Sequence, residues 1–288
     1  MSPIHVAWIT AFLYGISSIV AKIAANRTIK NPWLYNFIWT LLGFILIVPV
    51  CVYYGIRLPT NWGSLLYMGL MSAASGTTYI LAMNAVDVSV LSPFYMLRTP
   101  IIVLLGFIIF GETLSVFQTI CISVMMFAGL FVSFDETFSI RSFFRPQMKF
   151  AILSILTSAL YNISVKYAAE RNSFWDMTFW TGLLTVIFVL PTYTLFIKDL
   201  RKTRISSYRG IFWSTVFGTT GLLLSFSALK ESVGLASTII SLPFSMVLAM
   251  ILSVIFPTLL ESHQWRVYAV RLTSATIMFL CAMQLSGV

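Results

Sequence analysis

Arg98 is the residue with the most evident chemical role, because it lies inside a long apolar segment. The segment covers residues 91–112, LSPFYMLRTPIIVLLGFIIFGE, and Pro93 and Pro100 flank the arginine. About 20 apolar residues span a bilayer as a helix, and a guanidinium near the centre of that span costs at least ~2.5 kcal/mol. We therefore predict a functional cation that binds a carboxylate or phosphate. The alternative is a structural arginine that satisfies carbonyls freed by the two prolines.

Other polar side chains within the apolar segments complete the candidate site. A phenol or indole there needs a hydrogen-bond partner, because lipid tails offer none. Facing inward, such groups would line a site for an amphiphilic small molecule. The alternative is helix packing with local hydroxyl-to-carbonyl bonds. The predicted substrate-binding set is Arg98, Tyr95, Tyr14, Tyr79, Tyr161, Asn162, Trp180 and Ser241.

A proline-containing motif occurs twice in the chain. Pro93-Phe94-Tyr95-Met96 has a counterpart 150 positions later, Pro243-Phe244-Ser245-Met246. Proline removes a backbone donor and interrupts a helix, and interrupted helices at membrane depth are tolerated where the backbone lines a cavity. We predict that Pro93, Pro100 and Pro243 form hinge or gating points.

The remaining charged residues are expected near the membrane surface. Lys22, Lys166 and Arg271 lie close enough to segment ends for their side chains to extend into the headgroup region. All nine acidic residues fall at segment ends or in connections. A carboxylate relay in the middle of the membrane, as proton-coupled export of cations commonly requires, is therefore not indicated.

The composition identifies the class of protein that must hold these groups. The chain has 288 residues, of which 59% are hydrophobic and only 9% are charged, against about 25% charged in average soluble domains. The sequence predicts an all-α, multi-pass membrane protein with ten transmembrane helices. Its apolar segments lie at about 6–25, 34–54, 63–84, 90–110, 116–134, 149–168, 175–197, 211–229, 235–257 and 266–285.

The ten segments divide into two similar halves. We predict an N-terminal five-helix repeat over 1–134, a connecting loop over 135–148 and a C-terminal five-helix repeat over 149–288. The first helix of each half opens alike, with LYGIS at 13–17 and LYNIS at 160–164. An odd number of spans reverses the orientation of the second half, so these would be inverted repeats, as in many secondary transporters.

The basic residues predict an orientation, with both termini outside. Connections after the odd-numbered segments carry eleven Lys and Arg, and those on the opposite side carry four; the positive-inside rule places the richer side in the cytoplasm. The net charge of +9 is thereby assigned to topology and to contacts with anionic membrane lipid, and no nucleic-acid partner is expected.

Enzyme and metal chemistry find no support in the sequence. Hydrolase, zinc-protease and nucleotide-binding motifs are absent. Neither His5 nor His263 has a suitably spaced partner, and the three cysteines lie in apolar segments without a CxxC pair. We predict no enzyme, no catalytic residue, no metal site and no cofactor.

Two stretches of the chain resemble transporters of the drug/metabolite transporter (DMT) superfamily, EamA type. AFLYGISSIVAK, residues 11–22, is similar to the first helix of that family, with a lysine seven residues after a glycine. The stretch 100–129, which includes GETLSVFQ, is similar to its fourth and fifth helices. The resemblance implies two five-helix halves, a central substrate and alternating access, commonly in export. It also implies termini inside, opposite to the charge count, and Arg98 is not a hallmark of the family.

We therefore predict a secondary transporter in the cell (inner or plasma) membrane. Its substrate would be a small polar or amphiphilic metabolite, anionic or zwitterionic and for example amino-acid-like, held between helices 1, 3 and 4 of one half and 6, 8 and 9 of the other. The alternative is a flippase or translocase of a lipid-linked intermediate, with the cavity open towards the bilayer. Assembly as a homodimer remains open.

Overall fold

A computed structural model describes residues 3–110, 115–132, 145–231, 239–240, 242–255 and 265–285. In the first half the α-helices are α1 (Pro3–Arg27), α2 (Pro32–Tyr54), α3 (Trp62–Ala85), α4 (Val88–Phe94), α5 (Arg98–Phe110) and α6 (Val116–Val132). In the second half they are α7 (Met148–Ala169), α8 (Phe174–Val189), α9 (Ile197–Lys202), α10 (Arg209–Glu231), α11 (Phe244–Ile255) and α12 (Trp265–Leu285). Short 3₁₀ helices occupy Tyr95–Leu97, Leu190–Leu195 and Ile205–Tyr208.

Seven of the helical stretches described are long and apolar enough to cross a membrane. They are His5–Arg27, Pro32–Tyr54, Trp62–Ala85, Val88–Ile109, Met148–Ala169, Phe174–Leu195 and Trp265–Gln284. Two shorter apolar helices cover Val116–Gly129 and Phe244–Ser253. The chain is thus an all-α, multi-pass membrane protein. The total of ten spans stays a prediction, and most of the predicted connecting loop, 135–148, lies outside the described residues.

Local sequence signals explain where the helices begin. Asn31 caps α2, since its Oδ1 accepts hydrogen bonds from the backbone N–H groups of Trp33 (2.9 Å) and Leu34 (3.3 Å), and a proline follows at the first helical position. Asn61 caps α3 in the same way, through the N–H of Ser64 at 2.9 Å. Such caps satisfy the backbone donors that every helix leaves without partners at its N-terminus.

The fourth apolar segment is a broken helix, as its prolines indicated. Pro93 lies inside α4, a 3₁₀ turn covers Tyr95–Leu97, and α5 then begins at Arg98. Pro100 lies in the first turn of α5, where a missing backbone donor is least costly. In the ninth segment α11 begins directly after Pro243. Both copies of the proline motif therefore lie where helical structure changes.

The two halves interlock through reciprocal helix pairs. The first span of one half packs against the third span of the other, α1 with α10 and α7 with α3. Likewise α1 packs against α11, and α7 against α5. Corresponding helices also meet, as α2 with α8, α4 with α11 and α6 with α12. Inverted repeats would produce such a pattern, and the repeat itself stays a prediction.

The expectation that Lys22 and Arg271 extend to the membrane surface is wrong. Lys22 is 2% exposed, and its Nζ donates to the carbonyls of Met83 (2.7 Å) and Val86 (2.9 Å) at the end of α3. Arg271 is 1% exposed and donates from Nη1 to Ser89 Oγ at 2.5 Å. Carbonyls at a helix C-terminus carry partial negative charge, so the protein interior itself solvates Lys22. Lys166 is exposed, as expected.

Candidate functional site

Arg98 is held between the two halves of the molecule. The 3₁₀ turn ends at its backbone, and its partly buried side chain reaches α7, where Nη1 lies 3.4 Å from Ser158 Oγ. This distance is longer than a typical N–H···O hydrogen bond. Within the described residues Arg98 has no acidic partner and makes no hydrogen bond to a backbone carbonyl. Most of its five N–H donors are therefore available to a ligand.

Two tyrosines extend the site from Arg98 toward α1. The guanidinium carbon lies 5.1 Å from the ring centroid of Tyr95, within the range of a cation–π contact. Tyr95 meets Tyr79 of α3 edge to face, with ring centroids 5.5 Å apart. The Tyr79 hydroxyl in turn lies 3.3 Å from Ser18 Oγ of α1. A continuous set of polar and aromatic contacts therefore joins α5, α3 and α1.

Tyr14 and Tyr161 complete the tyrosines of this group. Tyr14 of α1 lies near Ser225 of α10 and within electrostatic range of both Arg98 and Tyr161. Gly221 of α10 leaves room for the Tyr14 ring, since a Cβ at that glycine would lie 3.0 Å from Tyr14 Cε1. The structure thus brings together five predicted residues: Arg98, Tyr95, Tyr79, Tyr14 and Tyr161. We call this group the Arg98 cluster.

The other predicted binding residues have different surroundings. Asn162 donates to the carbonyl of Ser158 in its own helix at 2.7 Å, which matches the packing alternative. Trp180 donates from Nε1 to the carbonyl of Arg57 at 2.8 Å and packs edge to face on Trp62. This contact places it beside the connection before α3, apart from Arg98. Ser241 lies outside the described residues.

The two proline motifs meet beside this cluster. Ser245 Oγ of α11 donates a hydrogen bond to Ser92 Oγ of α4 at 2.6 Å. Ser92 immediately precedes Pro93, and Ser245 lies two residues after Pro243. Phe244 packs edge to face on Trp8 of α1. The hinge assignment of Pro93, Pro100 and Pro243 stays a prediction, but the helix breaks that it requires are in contact.

The sequence argument missed the serines that partner the cluster. Ser158 approaches Arg98, Ser18 approaches Tyr79, and Ser225 lies near Tyr14. Helical spacing gave one available signal, because Ser158 lies about one turn before Tyr161 and Asn162 on α7. Serine is common in membrane helices as a packing residue, so its type alone gave no reason to select it.

Two surface cavities lie elsewhere on the molecule. One, of about 280 Å³, lies between the α1–α2 connection and α9. The other, of about 370 Å³, lies along the first turns of α7, from Lys149 to Leu156. Neither is lined by the Arg98 cluster. In the part of the chain that the structure describes, no group of three or more His, Cys, Asp or Glu side chains is arranged to hold a metal ion.

Comparison with known proteins finds one similar fold and one matching family model. One solved structure, entitled "Crystal structure of protein", superposes with a TM-score of 0.58 over 96% of this chain and 97% of its own length. At 14% sequence identity that likeness shows a shared fold alone. No curated protein matches the sequence significantly. The model of the EamA-like transporter family matches residues 1–134. The matched stretch contains α1 through α6 and includes both motifs on which the predicted resemblance to this family rests.

Proposed function

We propose that the protein is a secondary transporter that moves a small anionic or zwitterionic metabolite across the cell membrane by alternating access. The observation that carries this proposal is the Arg98 cluster, in which a partly buried guanidinium without a described acidic partner contacts the ring of Tyr95 and lies within electrostatic range of Tyr14. A protein would not maintain a cation at that depth without use, because its desolvation is costly. The family match over residues 1–134 supports transport over enzyme chemistry.

The chemistry of the cluster favours a substrate with an anionic group and an apolar body. A carboxylate or phosphate would accept two parallel hydrogen bonds from the guanidinium. The rings of Tyr95 and Tyr79 would cover the apolar part, and the hydroxyls of Tyr14 and Tyr161 would orient polar substituents. Such a substrate would replace the long contact between Arg98 and Ser158.

The position of the Arg98 cluster between the two halves supports alternating access of the substrate from the two sides of the membrane. Arg98 belongs to the first half and Ser158 to the second, so a ligand at the guanidinium contacts both halves. The helix breaks before Arg98 and before Phe244 offer points about which each half can tilt. Movement of one half against the other would carry the bound anion from one face toward the other. Export is the direction that we propose.

A ligand panel on purified protein tests the substrate class. Amino acids, sugar phosphates, nucleotides and quaternary amines are added separately, and the thermal stability of the protein is measured. A ligand that binds the folded state raises the unfolding temperature. We expect stabilisation by at least one carboxylate or phosphate compound and none by the quaternary amines. Stabilisation by the quaternary amines alone would contradict an anion site.

Substitution of Arg98 tests its role with whichever compound stabilises the protein. Arg98→Ala should weaken binding by about 10- to 100-fold, because a charge-assisted hydrogen bond contributes about 1.5–3 kcal/mol, and should abolish uptake into proteoliposomes. Arg98→Lys should have an affinity between those of the unsubstituted protein and Arg98→Ala, since lysine keeps the charge and loses the planar pair of donors. Arg171→Ala is the matched control, because Arg171 lies beyond the end of α7 beside Glu170. Full transport by a folded Arg98→Ala protein would refute the proposal.

A further inference from the structure

The cavity between the α1–α2 connection and α9 has the charge of an anion site. Its volume is about 280 Å³, just below the range of about 300–1,000 Å³ typical of small-molecule pockets. Arg27 lines it from the end of α1, Lys30 from the connection to α2, and Lys202 from α9. Asp199 is the one carboxylate in the lining, which leaves a net formal charge of +2.

Hydrogen bonds give this cavity a defined wall. Asn31 Nδ2 donates to Asp199 Oδ2 at 2.6 Å and to the carbonyl of Leu195 at 3.1 Å. The same side chain caps α2 through its Oδ1. Asn31 therefore ties α9 to the start of α2 and engages one oxygen of the only lining carboxylate. The three cations are exposed side chains.

The surroundings of the cavity place it at the level of the lipid headgroups. It lies where α1 ends and α2 begins, at one end of two spanning helices. Nearby, Leu195 is 54% exposed and Ile205 is 89% exposed, as expected for side chains that contact lipid. The basic residues of this segment are Lys198, Arg201, Lys202, Arg204 and Arg209. Exposed apolar side chains beside clustered cations are typical of segments that lie in an anionic membrane surface.

We propose that this cavity binds the phosphate group of an anionic lipid headgroup. Arg27 and Lys30 belong to the first half of the chain and Lys202 to the second, so a bound phosphate bridges the halves on this face of the membrane. It would thereby stabilise the arrangement in which α9 lies against the start of α2. The site is separate from the Arg98 cluster, and its occupancy does not depend on which substrate that cluster carries.

A lipid titration on the purified full-length protein tests this site. Phosphatidylglycerol, which carries one uncompensated phosphodiester charge, is added to protein in detergent, and the unfolding temperature is followed. We expect saturable stabilisation, with a much weaker effect from zwitterionic phosphatidylcholine. Lys202→Gln and Lys30→Gln should each weaken the apparent affinity by about fivefold, since each cation near an anionic surface contributes a factor of that size. Equal stabilisation by both lipids would overturn the proposal.

Two further variants separate the cavity from the general basic surface. Arg201→Gln removes the same charge from the neighbouring position of α9, which does not line the cavity, and should leave the apparent affinity within about twofold. Asp199→Asn should increase the affinity, because it removes the repulsive charge and keeps a partner for Asn31. An equal loss in Arg201→Gln and Lys202→Gln would assign binding to diffuse surface charge and refute the site.

Inorganic phosphate identifies the source of the bound group. Stabilisation by phosphatidylglycerol, with or without a weaker effect of inorganic phosphate, supports a lipid headgroup. Stabilisation by inorganic phosphate alone would assign the cavity to a soluble phosphate compound and overturn the lipid assignment. Because the readout is thermal stability, failure here is distinct from loss of transport in Arg98→Ala.

Discussion

The α1–α10 interface and the α7–α3 interface are in corresponding positions of the bundle, but different contacts hold their helices together. Between α1 and α10 the helices approach through small residues: a Cβ on Gly210 would lie 2.5 Å from Ala24 Cβ, and Ser17 Oγ donates to the carbonyl of Ser214 at 2.7 Å. Between α7 and α3 a side-chain hydrogen bond joins Thr78 to Thr157 at 2.9 Å. Close backbone approach therefore dominates one interface, and hydroxyl pairing contributes to the other.

The lysines that follow the two related tyrosine motifs show the same contrast. Lys22 of α1 is buried against the C-terminal carbonyls of α3, whereas Lys166 of α7 is exposed. Relative to the motif, Lys166 comes three residues earlier than Lys22, which moves it about 4.5 Å along the helix and about 60° around it. Similar sequence at the start of two helices does not give their ends the same environment.

Replacing Lys22 of α1 and Lys166 of α7 should give the largest difference in the free energy of unfolding. Lys22→Met should lower the free energy of unfolding by about 2–4 kcal/mol, because it leaves two buried carbonyls without their charged donor. Lys166→Met should change it by less than about 0.5 kcal/mol. Thermal and denaturant unfolding in detergent measures both. Equal losses would mean that the two helix ends are equivalent.

Matched alanine substitutions probe the close backbone approach. Gly210→Ala should destabilise by about 1–3 kcal/mol, because its Cβ forces α10 away from Ala24. A Cβ added to Gly76 of α3 would lie 3.7 and 3.8 Å from its nearest neighbours. Gly76→Ala should therefore be neutral, or should stabilise the protein by up to about 1 kcal/mol through helix propensity. The same unfolding measurement decides. A stable Gly210→Ala protein would show that α1 and α10 can separate without cost.

The hydroxyl pair at the α7–α3 interface should give the smallest effect. Thr78→Val and Thr157→Val each remove one member of the pair, and interhelical hydrogen bonds in membranes contribute about 0.6 kcal/mol on average. The double variant should therefore lose less than the sum of the single variants, by about that amount. Strict additivity would show that the two threonines do not interact.

The sequence was sufficient to predict the helices and the break beside Arg98, because both follow from local composition. Apolar length predicts a span, and the prolines flanking Arg98 predicted the interruption at Tyr95–Leu97. It was also sufficient to select Tyr95, which contacts this arginine, and three further tyrosines of the same cluster, since depth in the membrane is readable from position within an apolar segment.

Contacts between distant segments could not be predicted in the same way. Lys22 was expected at the membrane surface because it lies near the end of its apolar segment, yet α3 ends beside it. Trp180 was expected near Arg98, but its indole donates a hydrogen bond to the carbonyl of Arg57. In both cases the partner belongs to another helix, and which helix faces meet is decided by packing of the whole bundle.

The 3₁₀ turn at Tyr95–Leu97 has a geometric consequence for the rest of its helix. A 3₁₀ helix advances about 120° per residue against about 100° in an α-helix, so three residues rotate everything after them by about 60°. It also places residues three apart directly above one another, which aligns Tyr95 with Arg98. A regular α-helix through this stretch would offset the guanidinium from that ring by about 60° around the axis and change the face that α5 presents to α7. The direction in which Arg98 points is thus set by the winding of three residues before it.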